Sequence, residues 1–253
     1  MDSVSLGGYD NTVTLGNGDD IVNAGQGYGT ITLGGGNDQI TIGGYWNTVV
    51  AGDGNDQVSG AQGNTSVTLG NGTDSVSLGG YSNVIQVGGG SDTITAGAGS
   101  DKVTAGGGND TITLQGWSNS VTLGAGTDTI DAGSGDTITV NSTHLLLSGG
   151  NQEMVFLDAG TASIDDLSSS TTVVAGPSSG SASILDFTRD AGFVLDLTGG
   201  VGGFTTTAGV VSALESDLHG GTQLLLGSGP GASVIDWVNT QASVLTSGHF
   251  RIG

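Results

Sequence analysis

The chain has 253 residues and a formal charge of −21, from 24 Asp+Glu against 3 Lys+Arg, with 51 Gly, 2 Pro and no Cys. That balance excludes nucleic acid as a partner, since such binding rests on cationic contacts to phosphate, and adsorption to an anionic membrane. The lack of Cys removes disulfides and thiolate chemistry, and no apolar run reaches the ~18 residues of a spanning helix, so no membrane insertion is expected.

The first residues, MDSVSLGGYDNT, carry no basic region and no apolar region. Met1 falls in mid-block, one residue before Asp2, and the expectation is a C-terminal piece of a longer protein. From residue 6 to 139 the chain divides into nonapeptides. Every second one is of one kind: LGNGDDIVN (15–23), LGGGNDQIT (33–41), AGDGNDQVS (51–59), LGNGTDSVS (69–77), VGGGSDTIT (87–95), AGGGNDTIT (105–113) and LGAGTDTID (123–131). Each reads apolar-G-x-G-x-D-x-U-x, with U aliphatic. A second set lies between them and has mostly lost the Asp. It carries Asn11, Asn47, Asn83 and Asn119 at that position, and only AGAGSDKVT (96–104) keeps an aspartate, Asp101. The repeating unit is therefore a pair of nonapeptides, two unequal halves.

Each nonapeptide ends in alternating aliphatic and Thr/Ser residues, the pattern of a half-buried strand. Glycines at loop positions 2 and 4 allow a tight reversal. Two strands and two loops close a turn, and identical turns stack about 4.8 Å apart as parallel strands. The core between two such strands is thin, so another force has to hold the turns together.

Stacking aligns Asp20, Asp38, Asp56, Asp74, Asp92, Asp110 and Asp128 in one row, with Asp2 on the same phase. Carboxylates at ~4.8 Å repel by ~1 kcal/mol in water and ~3.5 kcal/mol at an effective dielectric of 20. A divalent cation between turns reverses that sign. Oxygen-only donors on flexible loops suit Ca²⁺ better than Mg²⁺. Zn²⁺ is disfavoured, because there is no Cys and the three histidines, His144, His219 and His249, all lie outside the repeats.

The blocks match the glycine-rich nonapeptide of RTX (repeats-in-toxin) proteins. Residues 2–140 thus resemble the hemolysin-type calcium-binding β-roll of that family. The fold class implied is all-β: a right-handed parallel β-roll, a β-solenoid with two nonapeptides per turn, and a C-terminal β-rich cap. The resemblance implies about six or seven Ca²⁺ ions along one edge, each held by the aspartates of two stacked loops and by loop carbonyls. The glycines concerned are Gly16, Gly18, Gly34, Gly36, Gly52, Gly54, Gly70, Gly72, Gly88, Gly90, Gly106, Gly108, Gly124 and Gly126. Two departures stand out. Loop position 1 is usually aliphatic rather than Gly, and the second edge has few aspartates, so at most a weak site is expected at Asp101.

On that second edge Tyr9, Tyr45, Trp46, Tyr81 and Trp117 sit just before the Asn positions. Two readings apply: a metal-free edge whose aromatics cover the loop, or an exposed row that binds an extracellular polysaccharide or another surface. The Thr-x-Thr pairs (such as Thr30/Thr32 and Thr93/Thr95) resemble those of ice-binding solenoids. Gln39, Gln57, Gln86 and Lys102 interrupt them, and strand preference explains them.

After residue 140 the nonapeptide fades. Short strands are expected at THLLLSG, EMVFLDAG, ASIDDL, TTVVAG, SASILDF, FVLDLTGG, TQLLLGSG and SVIDWVN, with a short helix at VVSALESDL. Repeat stacks need such caps. The stretch from Ile184 through Phe193-Val194-Leu195-Asp196-Leu197 to the end resembles the tails that follow RTX repeats, which in that family carry an uncleaved signal for a type I secretion system; here that is about 204–253. The resemblance implies a secreted or surface protein of a Gram-negative bacterium. Asp165-Asp166, Asp186 and Asp196 show no spacing of a catalytic pair, and no nucleophile or phosphate-loop motif appears. No catalysis is expected in this chain, though it would suit the end of a larger secreted enzyme.

Overall fold

Alternation of buried and exposed residues builds nearly every strand, as in Gln39–Ile42 and Ser75–Leu78. The structure, a computed structural model, describes residues 1–60, 62–141, 143–157, 161–164, 171–176, 181–184, 193–198, 201–216, 221–226, 233–238, 240 and 242–252. Asp165, Asp166, Asp186 and His219 lie outside the described residues. The chain forms two compact units, Met1–Asp128 and Thr129–Gly253.

In the first unit, successive strands alternate between two parallel sheets. One sheet holds Ser3–Leu6, Ile21–Ala24, Gln39–Ile42, Gln57–Gly60, Ser75–Leu78, Thr93–Ala98 and Thr111–Gln115, in chain order. The other holds Asn11–Thr14, Gly29–Thr32, Thr48–Val50, Ser66–Thr68, Val84–Gln86, Lys102–Ala105 and Ser120–Leu123. Each strand pairs with the one a full repeat away, as Ile40↔Val58 and Ile85↔Val103 show. Every turn therefore presents the same face to the next.

The core is the single layer expected. Val22, Ile40, Val58, Val76, Ile94 and Ile112 line one sheet; Ile31, Val49, Val67, Ile85, Val103 and Val121 line the other, all essentially inaccessible. The position-1 aliphatics Leu33, Leu69, Val87 and Leu123 add to it. The two loop types differ in backbone. In-phase loops place a positive φ at the position-4 glycine, +144° at Gly90, whereas second-edge loops place position 5 in the left-handed region, as at Trp46 (φ 53°) and Ser82 (φ 56°).

The second unit repeats the coil with looser register. Thr137–Val140, Met154–Leu157, Thr172–Ala175, Val194–Leu197 and Phe250–Ile252 form one parallel set. Thr143–Gly149, Thr161–Ile164, Ala182–Ile184 and Ser233–Trp237 form the other. There the direction reverses: Thr222–Leu226 pairs antiparallel with Ser233–Trp237, and Glu215–Ser216 follows it. Trp237 is fully buried, edge-on to Phe193 (6.4 Å) and Phe250 (5.9 Å). The expected strands are present. The helix starts earlier than expected, at Thr207–Ser212, because the Thr206 side chain caps the Gly209 amide; Glu215–Ser216 is extended instead.

Candidate metal centre

Position 6 of each in-phase loop ends the loop and begins the strand, so its side chain is fixed by backbone pairing on both sides. All seven aspartates from Asp20 to Asp128 are at most 2% exposed. They form a continuous chain of hydrogen bonds. The Asp20 amide donates to Oδ1 of Asp38, Asp38 to Asp56, Asp56 to Asp74, Asp74 to Asp92, Asp92 to Asp110 and Asp110 to Asp128, at 2.8–3.0 Å. Asp2 starts the chain by donating its amide to Asp20 Oδ1 at 2.7 Å, but is itself exposed.

The other oxygen is the notable one. Oδ2 of Asp20, Asp38, Asp56, Asp74, Asp92 and Asp110 is buried with no hydrogen-bond partner. A buried carboxylate oxygen without a donor or cation is costly. Burial pushes the Asp56, Asp74 and Asp110 carboxyls up to about 6, and raises Asp38 and Asp92 as well. The amide from the preceding aspartate opposes the shift at each; at Asp38, Asp56, Asp74 and Asp110 neighbouring carboxylate charges add to it.

The loop glycines stack in two columns beside the aspartates. At position 2, Gly34 donates its amide to the Gly16 carbonyl, Gly52 to Gly34, Gly70 to Gly52 and Gly88 to Gly70. In the last turn the register slips and Gly124 donates to Ala105. At position 4 the amides of Gly18, Gly36, Gly54, Gly72, Gly90 and Gly108 donate to position-3 carbonyls of the next turn. Their own carbonyls crowd the Cα of the next position-4 glycine, so that a Cβ at Gly54, Gly72, Gly90, Gly108 or Gly126 would overlap the backbone oxygen one turn before. Only Gly keeps these oxygens stacked beside the aspartates. Hard oxygen donors, from carboxylates and loop carbonyls, suit Ca²⁺. Among the described residues no three His, Cys, Asp or Glu side chains cluster as a metal site.

Sequence reasoning missed a second ladder at loop positions 3 and 5. Oδ1 of Asn17, Asp19, Asn37, Asp53, Asn55, Asn71 and Asn109 accepts an amide from the following turn at 2.8–3.1 Å. The recurrence of Asn and Asp at those two positions was the available signal.

At Asn47 and Asn83 the second edge solves the same problem without charge. Asn47 and Asn83 donate their side-chain amides to the loop carbonyls of Gly43 and Gly79, at 3.0 and 3.1 Å. An ionised Asp has no such donor. Asp101 accepts the Asn83 amide (2.7 Å) and donates its own to Asn119 Oδ1 (2.9 Å), so it sits in an asparagine column. The aromatics are exposed, Tyr9, Trp46, Tyr81 and Trp117 at 51–74%, while the Tyr9 and Trp117 rings lie against the loop glycines Gly27 and Gly99 of the neighbouring turns. Tyr28 stacks on Trp46 at 5.7 Å, and a surface recess of about 170 Å³ lies on each side of that pair. In the second unit Asp196 pairs with Arg251 at 3.3 Å.

Compared with known proteins, the family model of the RTX calcium-binding nonapeptide repeat matches in four copies, over residues 1–31, 41–76, 78–112 and 118–138. No curated protein and no solved structure matches the chain.

Proposed function

Because the chain belongs to the RTX calcium-binding nonapeptide-repeat family, whose members bind calcium and are typically secreted, we propose that it is a calcium-triggered folding module that supports type I secretion of a larger protein. The observation that carries the reading is the row of buried, partnerless Oδ2 atoms on Asp20 through Asp110. When bound between turns, Ca²⁺ supplies the positive charge these oxygens lack. Asp20, Asp38, Asp56, Asp74, Asp92, Asp110 and Asp128 would hold the ions, and the stacked loop carbonyls of Gly16 to Gly126 would complete the shell. Seven aspartates in line give six bridging positions. Exposed Asp2 offers a weaker seventh.

Binding then becomes folding energy, because the unfolded chain has no preformed site. At the low calcium of the cytosol the repeats stay loose enough to be exported. Outside, millimolar calcium condenses them, and the tail about 204–253 carries the export signal. Among the described residues no helix is long and apolar enough to cross a membrane. We place no catalysis in this module. Circular dichroism of the chain titrated with calcium tests the reading: β signal should appear with calcium and vanish in EDTA. Equal β signal in both conditions sinks it.

A second reading is favoured by the exposed Tyr28–Trp46 stack and its flanking recesses. Flat exposed rings next to Asn11, Gln26 and Gln62 suit the apolar faces and hydroxyls of a neutral sugar, which the acidic chain does not repel. In this reading the second edge holds an extracellular polysaccharide while the first edge holds calcium.

A further inference from the structure

The second edge keeps a period of its own. Loop position 4 there is aromatic at Tyr9, Tyr45, Tyr81 and Trp117 and glycine at Gly27, Gly63 and Gly99 in the turns between. Those glycines hold φ of 96° to 125°. A Cβ on Gly27 would meet the Tyr9 ring, and one on Gly99 would touch the Trp117 ring. Glycine in alternate turns thus lets a ring rest on the neighbouring loop while most of it stays exposed. The rings recur every two turns, about 9.6 Å at the spacing of parallel strands.

Position 5 adds an independent signal. Asp10, Asn64, Ser82, Ser100 and Ser118 hold left-handed backbone there with short polar side chains, whereas Trp46 holds it with an indole, at φ 53°. Bulky residues are outliers in that region, and such strain collects where a ligand is held. The indole adds nothing to the core: it is exposed, stacks on Tyr28 at 5.7 Å and lies 6.2 Å from the Tyr45 ring. Beside it the larger recess is lined by Tyr9, Gln26, Tyr28, Tyr45, Trp46 and Gln62, which come from four successive second-edge loops. The recess therefore runs along the stack of turns rather than around one of them. None of its lining residues is charged, and Gln26 and Gln62 bring amide donors and acceptors.

We propose that this edge selects a flat, extended, neutral polysaccharide of β-1,4-linked rings, lying along the column from Tyr9 to Trp117. The inference rests on the polysaccharide reading above and adds the linkage and the direction of the bound chain. In a β-1,4-linked chain each ring is flipped relative to the last, so the same face recurs at every second sugar. That disaccharide period matches the two-turn spacing of the aromatic rings. An α-1,4-linked chain coils and turns its faces away from such a column. The rings cover the apolar sugar faces, while Gln26 and Gln62 bond the hydroxyls. The net charge of −21 repels acidic glycans. Tyr9 and Trp117 are 108 residues apart, six turns of paired nonapeptides. That is roughly 29 Å at the strand spacing, so affinity grows with the length of the sugar chain.

The test uses the whole chain in saturating calcium, titrated calorimetrically with cellohexaose, cellobiose and maltohexaose. Cellohexaose should bind roughly tenfold tighter than either of the others, and Trp46→Ala should lose roughly tenfold in affinity for it, the scale of one stacked ring. Maltohexaose or cellobiose binding as tightly as cellohexaose overturns the inference and leaves the polysaccharide reading standing. Binding of none of the three, with no retention on immobilised neutral glucans, overturns both. Unchanged cellohexaose affinity in a folded Trp46→Ala overturns the placement on this edge. If that variant does not fold, Trp117→Ala, which removes another exposed ring, carries the same comparison, and the three sugars on the parent chain decide the linkage without any variant.

Discussion

The Asp56 amide donates to Oδ1 of Asp74 at 2.9 Å, while Oδ2 of each residue stays buried without a partner. Each aspartate therefore commits one oxygen to the backbone of the previous turn and keeps the other for something the protein does not supply. A turn built only to cap its own loop would satisfy its side chain locally. Here the bond runs between turns, so the side chain sets inter-turn spacing and charge together.

Acidity should replace calcium in part. The Asp56, Asp74 and Asp110 carboxyls sit at about 6 in the fold, against about 3.9 in an unfolded chain. Raised acid pKa values mean that the native state binds more protons, so metal-free stability is fully present below pH ~4 and falls as pH rises to ~6. Circular dichroism in EDTA should show folded, meltable chain at pH 4.5 and little β signal at pH 7.5, where the repeats stay loose. Calcium affinity should run the other way, rising through pH 6 as protons leave. A metal-free Tm that climbs with pH would contradict this.

Removing one charge in the middle of the row should cost more than one at the surface. Asp74→Asn takes a ligand from the gaps on both sides, and the calcium count should fall by two with a higher calcium midpoint for folding. Asp53→Asn is the control. Asp53 is exposed and uses Oδ1 to accept the Asn71 amide, which Asn also does. Its effect should stay within ~0.5 kcal/mol. Calorimetry and calcium-dependent circular dichroism distinguish the two.

Glycine should matter by position, not by count. Gly90→Ala puts a Cβ onto the Gly72 carbonyl at φ +144° and should cost ~3 kcal/mol or abolish folding. Gly107→Ala meets nothing closer than the Ala125 carbonyl at 3.6 Å and should be tolerated. Urea midpoints in saturating calcium would show whether the two differ.

Trp46→Ala should leave calcium count and melting nearly unchanged, because the ring is 58% exposed on the far edge. Retention of the parent chain, but not the variant, on immobilised neutral glucans would support the polysaccharide reading. No retention of the parent chain would end it.

Much of the molecule was readable in the order of its residues. The two-nonapeptide period, the paired parallel sheets, the inward aliphatics and the aspartate column all follow from one constant offset between neighbours in space. A contact that recurs at that offset is written into any sequence with the same period, so covalent order and spatial order coincide. Only the three-dimensional structure decided which carboxylate oxygen is spent on an amide, how the Asn and Asp side chains at positions 3 and 5 tie the turns, and that Tyr28 joins Trp46. In the second unit the offset between paired strands drifts from 17 (Thr137↔Met154) to 18 (Met154↔Thr172) to 22 (Thr172↔Val194). Once the period slips, proximity is set by packing and backbone pairing, and residues that share a gap no longer share a phase in the sequence.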